Sequence, residues 1–231
     1  MSRSKEAAGR RAAEFVTTGT DVGLGTGSTV WFTLVRFAER IREEGLSIRG
    51  VATSVDTENK AEELGIPLAR LDDVEVLDVT IDGADEIDPD FNLVKGGGGA
   101  LLREKVVASI SRREIIVVGR DKLVERLGTT FKLPVEIAPF ARSVALRTLT
   151  ALGSEPHLRH APDGSVYHTD NGNEILDCHF PDGIESPPAL ETTLAHVPGI
   201  VESGLFIGLC HAVVIGAEDG TVEVRERRHA D

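Results

Sequence analysis

Apolar and polar positions alternate along the first half of the chain in two rhythms, one typical of strands and one typical of helices. In the segment 29–44, apolar side chains such as Val30, Leu34 and Phe37 recur at the spacing of one helical face. Residues 115–118 form a short unbroken apolar run, as in a strand buried on both faces. The pattern predicts strands over 21–25, 47–53, 66–69, 76–82 and 114–119, and helices over 29–44, 56–64 and 100–110. This order predicts a parallel sheet with helices on both faces.

The rhythm changes from Pro134 onward, where strands and helices no longer alternate regularly. We expect strands over 134–138, 155–159, 174–178 and 199–202, and helices over 141–152 and 188–196, which form a smaller α+β unit. The apolar run 204–217 is shorter than the roughly 18 residues of a membrane span, so it predicts a buried strand. Two final strands, over 212–215 and 221–225, flank a hairpin signal at Glu218-Asp219-Gly220 and can return to the first sheet.

The composition is that of a folded protein with an acidic surface. Hydrophobic residues make up 41% and charged residues 27% of the 231 positions, which excludes disorder. The 25 basic and 38 acidic residues give a net charge of −13, which disfavours a nucleic-acid partner. Cys178 and Cys210 lack the spacing of a disulfide framework or a zinc ribbon, and the first residues lack the apolar core of a secretory signal. We therefore expect a cytoplasmic protein with no membrane segment.

A glycine-rich turn at 23–29 leaves a predicted strand and opens a predicted helix. Its backbone N–H groups, together with the hydroxyls of Thr26, Ser28 and Thr29, are donors suited to a phosphate. The dinucleotide fingerprint fails because Ser28 stands at its third glycine, and the Walker A motif fails because no Gly-Lys-Ser/Thr follows. The alternative is a tight turn closed by a Ser or Thr cap.

The segment Asp82-Gly83-Ala84-Asp85 begins where an apolar strand ends. Ligands of open α/β sheets bind at the carboxyl ends of strands, so Asp82 and Asp85 are candidates for acid–base chemistry. A calcium loop of the EF-hand type is disfavoured because Phe91 occupies the position of its invariant glycine, and no histidine lies nearby for a transition metal. The alternative is an aspartate-rich turn in solvent.

Four consecutive glycines, at 96–99, follow Lys95 and precede a predicted helix. Such a run is conformationally costly, so backbone access to a ligand is the expected benefit. Lys95 can place a positive charge near a developing oxyanion. Glu104, early in the helix, is either a carboxylate base or a partner in an ion pair with Arg103 or another surface charge. Lys122 follows another strand and is either a substrate cation or an ordinary exposed lysine. The histidines follow no zinc spacing, and we expect them to be solvated or packed.

The order and spacing of these and further motifs resemble the type A ribose-5-phosphate isomerase family over essentially the full chain. The motifs are GLGTGST at 23–29, DGADEID at 82–88, KGGGGALLREK at 95–105, DKLV at 121–124, LPVE at 133–136, TDNGNEILD at 169–177 and PGIVESGLF at 198–206. The sequence departs from the family at Cys210-His211, where Ala-Asp is expected. This departure leaves the contacts near the final strands open, but not the catalytic set.

The resemblance implies a Rossmann-like catalytic domain over 1–130 and 205–231, with an inserted α+β domain over 131–204. It also implies a homodimer or homotetramer, a sugar-phosphate substrate, no metal or organic cofactor, and a place in the pentose phosphate pathway. Glu104 is the implied proton acceptor, Lys122 contacts substrate, and Lys5 contacts phosphate. The implied substrate loops are Thr26-Gly27-Ser28-Thr29, Asp82-Gly83-Ala84-Asp85 and Lys95-Gly96-Gly97-Gly98.

The implied reaction interconverts D-ribose 5-phosphate and D-ribulose 5-phosphate through a cis-enediolate. Glu104 would move the proton between C2 and C1 while Lys95 and the glycine-loop amides hold the enediolate oxygen. Asp82 and Asp85 would help to open the furanose and move hydroxyl protons. The alternative function from another class is a sugar-phosphate sensor domain that binds but does not catalyse. Such sensors often follow a DNA-binding helix-turn-helix, and the roughly 20 residues before the first strand are too few for one. An amino-sugar isomerase or deaminase is a second rival, which the lysine-glycine block disfavours.

Overall fold

The computed structural model describes residues 2–227 and divides into two compact units. Contacts group Met1–Ala84, Arg103–Lys122 and Leu209–Asp231 in the first unit, and Asp85–Leu102 and Leu123–Gly208 in the second. The strands are β1 (Thr20–Leu24), β2 (Ile48–Ala52), β3 (Val79–Asp82), β4 (Glu86–Ile87), β5 (Leu93–Val94), β6 (Glu114–Gly119), β7 (Leu133–Ile137), β8 (Glu155–Leu158), β9 (Glu174–His179), β10 (Ile200–Ser203), β11 (Leu205–Phe206), β12 (Ala212–Gly216) and β13 (Val222–Glu226). The helices are α1 (Arg3–Ala13), α2 (Val30–Glu44), α3 (Val55–Glu63), α4 (Leu101–Ser109), α5 (Arg142–Ala151) and α6 (Pro187–Ala195).

The first unit is built on one six-stranded sheet in the order β13-β12-β6-β3-β1-β2. All neighbouring strands in it are parallel except β13, which pairs antiparallel with β12 through the predicted hairpin. Strand β6 lies in the middle of the sheet, and its six residues are all buried, as its unbroken apolar run predicts. The mostly parallel sheet is therefore confirmed.

Apolar side chains cover both faces of this sheet. Helices α1 and α2 pack on one face, where residues such as Ala8, Leu34 and Val22 share one core cluster. Gly23 points to the opposite face because neighbouring residues of a strand alternate in direction, and a Cβ there would lie 2.7 Å from a methyl group of Val107 in α4. The predicted α/β class with helices on both faces is confirmed.

The second unit contains two antiparallel sheets and the helices α5 and α6. One sheet has the order β10-β7-β9-β8, and the other has the order β11-β5-β4. Buried residues such as Val135, Leu149 and Leu176 form its core. The predicted smaller α+β unit is confirmed. Its predicted bounds, 131–204, stay a prediction, as do those of the catalytic domain. Residues 1 and 228–231 of the catalytic domain lie outside the described residues.

Two element predictions were wrong. The predicted strand over 66–69 is reduced to a single bridge between Leu68 and Gly50. The apolar run 204–217 is not one strand, because Gly208 adopts a left-handed φ of 72° between β11 and β12 and turns the chain. Within residues 2–227, none of the helices is long and apolar enough to cross a membrane.

Candidate active site

Three of the segments selected from the sequence lie at one edge of the first unit's sheet. Strands β1, β3 and β6 are parallel and adjacent, so their carboxyl ends meet at the same edge. The loop at 25–29 follows β1, Asp82 closes β3, and the turn Arg120–Lys122 follows β6. This edge is where an open α/β sheet binds its ligand.

Asp82 is a buried carboxylate. It is 0% exposed, and its Oδ1 accepts hydrogen bonds from the N–H groups of Thr26, at 3.0 Å, and Gly83, at 2.7 Å. A Cβ at position 25 would overlap the Asp82 carboxylate, so Gly25 permits this close approach. The alternative of a solvated aspartate turn is therefore excluded for Asp82.

The Thr26 side chain anchors its loop to a cluster of hydroxyls. Thr26 Oγ1 donates to Ser54 Oγ at 2.8 Å and lies 2.8 Å from Thr53 Oγ1. Ser54 also caps α3 by accepting the Thr57 N–H at 3.1 Å. The sequence analysis missed this cluster, although two consecutive hydroxyl residues at the end of a predicted strand, Thr53-Ser54, are a signal that a sequence contains.

Lys5 and Ser28 are brought together in the first unit. Lys5 lies on α1 and its Nζ donates to Ser28 Oγ at 2.9 Å. Gly27, next to Ser28, has a φ of 127°, which side chains rarely tolerate. The loop therefore presents backbone groups, a hydroxyl and a cation at the N-terminus of α2, the set of donors that an anion needs.

Glu104 and Lys122, also in the first unit, differ sharply in exposure. Glu104 lies in the first turn of α4 and is only 5% exposed, so its carboxylate is buried and is not a surface group. The Lys122 side chain is 33% exposed, and its Nζ lies 3.7 Å from Asp121 Oδ2, beyond hydrogen-bond distance. Glu104 is a buried base candidate, and Lys122 is an accessible cation.

Lys95 is a buried lysine in the second unit. It follows β5 directly, is 2% exposed, and donates its backbone N–H to Gly204 O at 2.9 Å. Its Nζ lies 5.3 Å from the centre of the Phe206 ring, within cation–π range. Because lysine is seldom fully buried, its position is a functional signal.

The tetraglycine loop lies against Asp85. The Gly97 N–H donates to Asp85 Oδ2 at 2.8 Å. A Cβ at position 97 would approach Asp85 Oδ1 to 2.8 Å and the Phe131 ring to 2.9 Å, so glycine is required there. Gly96 has a left-handed φ of 104°, and its carbonyl accepts the Gly99 N–H at 3.0 Å, which closes a tight turn.

The other two acids of the segment 82–88 have structural roles. Glu86 is 0% exposed, and its carboxylate accepts the N–H groups of Gly128 at 2.5 Å and Phe131 at 2.7 Å. Asp88 accepts the Asn92 N–H at 2.8 Å and so closes its own turn. The acidic run is thus divided between two site candidates and two groups that hold loops.

The departure at Cys210-His211 is accommodated within the first unit. Cys210 is 0% exposed, and His211 Nδ1 accepts the Glu114 N–H at 3.0 Å. These contacts join the start of β12 to the start of β6, away from the carboxyl edge that carries the candidate site. Over residues 2–227, no group of three or more His, Cys, Asp or Glu side chains is arranged to hold a metal ion.

In the first unit, a sheet edge with a glycine-rich loop, a buried carboxylate and a cation is the arrangement of an α/β enzyme that binds a small anionic substrate. The sequence model of the family "Ribose 5-phosphate isomerase A (phosphoriboisomerase A)" matches residues 49–220. The ribose-5-phosphate isomerase A of Bacillus mycoides (strain KBAB4) is 48% identical, over 96% of this chain and 100% of the relative. The chain belongs to the ribose 5-phosphate isomerase A family, and it is an isomerase.

Two solved structures agree with this assignment. The ribose 5-phosphate isomerase from Plasmodium falciparum matches with a TM-score of 0.95 and 36% identity, covering 99% of this chain and 100% of that one. A D-ribose-5-phosphate isomerase in complex with phospho-erythronic acid matches with a TM-score of 0.93 and 36% identity, covering 96% and 97%. The family resemblance predicted from the motifs is confirmed.

Proposed function

We propose that this chain interconverts D-ribose 5-phosphate and D-ribulose 5-phosphate through a cis-enediolate, with Glu104 as the base. The observation that carries the assignment of Glu104 is its burial, at 5% exposure in the first turn of α4. A buried carboxylate has given up most of its hydration, which makes Glu104 a candidate for a functional group. Family membership supplies the substrate.

The reaction moves one hydrogen between neighbouring carbons. Glu104 takes the proton from C2 of the aldose, the C–H electron pair becomes the C1–C2 double bond, and the aldehyde oxygen becomes the enediolate oxygen. The O2 proton then passes to O1, the C2 carbonyl forms, and Glu104 returns its proton to C1. One carboxylate can serve both carbons because the proton leaves C2 and joins C1 on the same face of the planar cis-enediolate. An aligned base accelerates such a step by about 10²–10⁴-fold.

Lys95 and the amides of the tetraglycine loop are the proposed partners of the enediolate oxygen. A buried ammonium stabilises a developing negative charge more strongly than an exposed one does, and Lys95 is 2% exposed. The relative that binds phospho-erythronic acid supports this role, because the carboxylate of that sugar acid is planar and anionic like an enediolate.

Asp82 and Asp85 are proposed to open the furanose ring and to move hydroxyl protons. Each carboxylate is held by backbone N–H groups, Asp82 by those of Thr26 and Gly83 and Asp85 by that of Gly97. Such bonds fix the direction of the carboxylate while its other lone pairs can accept a substrate proton.

The loop Thr26-Gly27-Ser28-Thr29 is proposed to bind the phosphate with Lys5 and Lys122. The loop opens α2, whose N-terminus favours negative charge. The bond from Lys5 to Ser28, at 2.9 Å, keeps a cation at this loop. Thr26 contributes by fixing the shape of the loop, since its N–H donates to Asp82 and its hydroxyl donates to Ser54.

Replacing Lys122 with alanine should raise KM more than it lowers kcat. An accessible cation at a strand end attracts the substrate anion in the ground state and in the transition state alike, so its loss weakens binding uniformly. Steady-state kinetics with ribose 5-phosphate measure the split. Lys60→Ala, which removes a surface lysine paired with Asp56 on α3, is the matched control and should change neither constant. A fall in kcat at constant KM would place Lys122 in the proton transfer instead.

Activity should persist after exhaustive treatment with EDTA. Each proposed step uses a carboxylate, a lysine or a backbone N–H, so none requires a metal or an organic cofactor. The measurement compares kcat before treatment, after treatment and after addition of Mg²⁺ or Mn²⁺. Loss of turnover that either metal restores would contradict the cofactor-free proposal.

Incubation with ribose 5-phosphate, followed by ketose detection, tests the function directly. In D₂O the enzyme should incorporate deuterium at carbon, because the enediolate exchanges its proton through Glu104. Binding of ribose 5-phosphate without isomerisation would favour the sensor domain. We also propose a homodimer or homotetramer, which light scattering can measure, and a cytoplasmic location, which the two buried cysteine thiols support.

A further inference from the structure

The tetraglycine loop is held from one side by Arg159, a residue with no part in the roles proposed above. Arg159 Nη1 donates to the Gly96 carbonyl at 3.0 Å and to the Gly97 carbonyl at 3.2 Å. Its Nε and Nη2 donate to the Asp177 carboxylate at 2.9 Å and 2.5 Å. The Arg159 side chain is only 14% exposed. A guanidinium fixed by a bidentate carboxylate therefore grips two consecutive peptide groups of the loop.

These contacts also fix the direction of two N–H groups. The C=O and N–H of a trans peptide point in opposite directions, and the peptide bonds among residues 2–227 are trans. The Gly96 carbonyl shares its peptide with the Gly97 N–H, which donates to Asp85 Oδ2 at 2.8 Å. The Gly97 carbonyl shares its peptide with the Gly98 N–H, which therefore points away from Arg159 as well.

Tyr167 engages the next carbonyl of the same loop. Its hydroxyl donates to Gly98 O at 3.4 Å, and its ring lies 5.7 Å from the Arg159 guanidinium. Burial raises the pKa of Tyr167, so its hydroxyl stays protonated and remains a donor. Three successive carbonyls of the loop thus accept hydrogen bonds from side chains of the second unit.

We propose that Arg159, anchored by Asp177, is a positioning residue of the isomerisation. It orients two peptides so that the Gly97 N–H holds Asp85 and the Gly98 N–H faces the enediolate oxygen. The inference rests on the proposed function of this loop. A charged donor on a carbonyl also polarises the N–H at the other end of the same peptide, which strengthens that N–H as a donor.

The expected signature of this role is a loss of kcat without a matching loss of affinity. A donor aimed at an oxygen that is charged only in the enediolate acts mainly in the transition state. Arg159→Met should lower kcat by about 10²-fold and change KM by less than about threefold. Arg159→Lys keeps the charge but lacks the fork that reaches both carbonyls and Asp177, so it should restore little activity.

Arg142→Met is the matched control. Arg142 forms a two-point ion pair with the buried Glu174 in the same unit and holds the pKa of that carboxyl below its usual range. Both variants remove a comparable ion pair and should lower Tm, but only Arg159→Met should lower kcat. Equal kcat values for the two variants, or a kcat for Arg159→Met within about threefold of wild type, overturn the proposal.

A chemical rescue separates positioning from a general loss of packing. Millimolar methylguanidinium should raise the kcat of Arg159→Gly at least about tenfold, whereas methylammonium should not. If the Arg159→Gly protein folds and methylguanidinium does not raise its kcat, the proposal is contradicted. Where the Arg159 variants do not fold, Asp177→Asn carries the test, because it loosens the guanidinium and should lower kcat at nearly constant KM.

The failure of this inference is distinguishable from the failure of the proposed function. A wild-type protein that does not isomerise ribose 5-phosphate contradicts the proposed function. An active wild type whose Arg159 and Asp177 variants keep full kcat contradicts only the positioning role.

Discussion

Glu104→Gln should slow isomerisation by at least about 10²-fold and leave the affinity for ribose 5-phosphate nearly unchanged. Glutamine has the shape of glutamate and can form hydrogen bonds, but it lacks a basic oxygen that can accept the C2 proton. Glu104 is buried, so water cannot readily replace it as the base. Steady-state kinetics give kcat, and calorimetric titration gives the affinity for the substrate.

Glu114→Gln is the matched control for this substitution. Glu114 is 0% exposed at the start of β6, at the edge of the sheet opposite the candidate site. Neutralising it tests whether the loss of any buried carboxylate lowers activity through the fold, and kcat per folded molecule should stay near that of wild type. In D₂O, the Glu104 variant should bind substrate but exchange almost no carbon-bound hydrogen.

A Glu104→Gln enzyme within about threefold of wild type would make Glu104 a structural residue of α4. The base would then be Asp82 or Asp85. Single Asn substitutions distinguish these two, because only the variant that lacks the base should lose deprotonation of C2. Asp82 closes a strand of the first unit, and Asp85 is held by Gly97 in the second.

The central sheet could be predicted from the sequence because its inner strands β3, β6 and β12 are buried along their whole length. Strand β6 is buried along its whole length, so its composition alone indicates its place in the middle of the sheet. The sheet β11-β5-β4 could not be predicted in the same way. Each of its strands has two residues, too few for a periodicity to appear.

The sequence predicts those candidate residues that a local motif marks. It does not predict residues whose contacts join positions far apart along the chain. Asp82 ends an apolar strand and Lys95 precedes four consecutive glycines, and a sequence shows both features directly. Arg159 reaches Gly96 and Gly97 across more than sixty positions, at separations of 63 and 62 residues, and no local pattern marks it. The burial that distinguishes Glu104 from a surface residue is equally invisible in the sequence.

Lys95→Met should lower kcat by about 10²–10³-fold, the cost typical of removing one donor from an oxyanion site. Methionine keeps the length and apolar stem of lysine, so the space beside the Phe206 ring stays filled while the charge is removed. Because the enediolate oxygen is fully charged only after C2 deprotonation, the missing ammonium matters most in the transition state. KM should therefore change far less than kcat.

Lys132→Met is the control for Lys95→Met, because it removes the same charge from an exposed position of the same unit. Its kcat and KM should equal those of wild type, which excludes a general effect of net charge. Phospho-erythronic acid provides a second measurement, since an anionic analogue of the intermediate should lose affinity for Lys95→Met in parallel with kcat. A rise in KM at constant kcat would mean that Lys95 binds substrate uniformly, as proposed for Lys122, and that the backbone donors of the tetraglycine loop stabilise the enediolate without it.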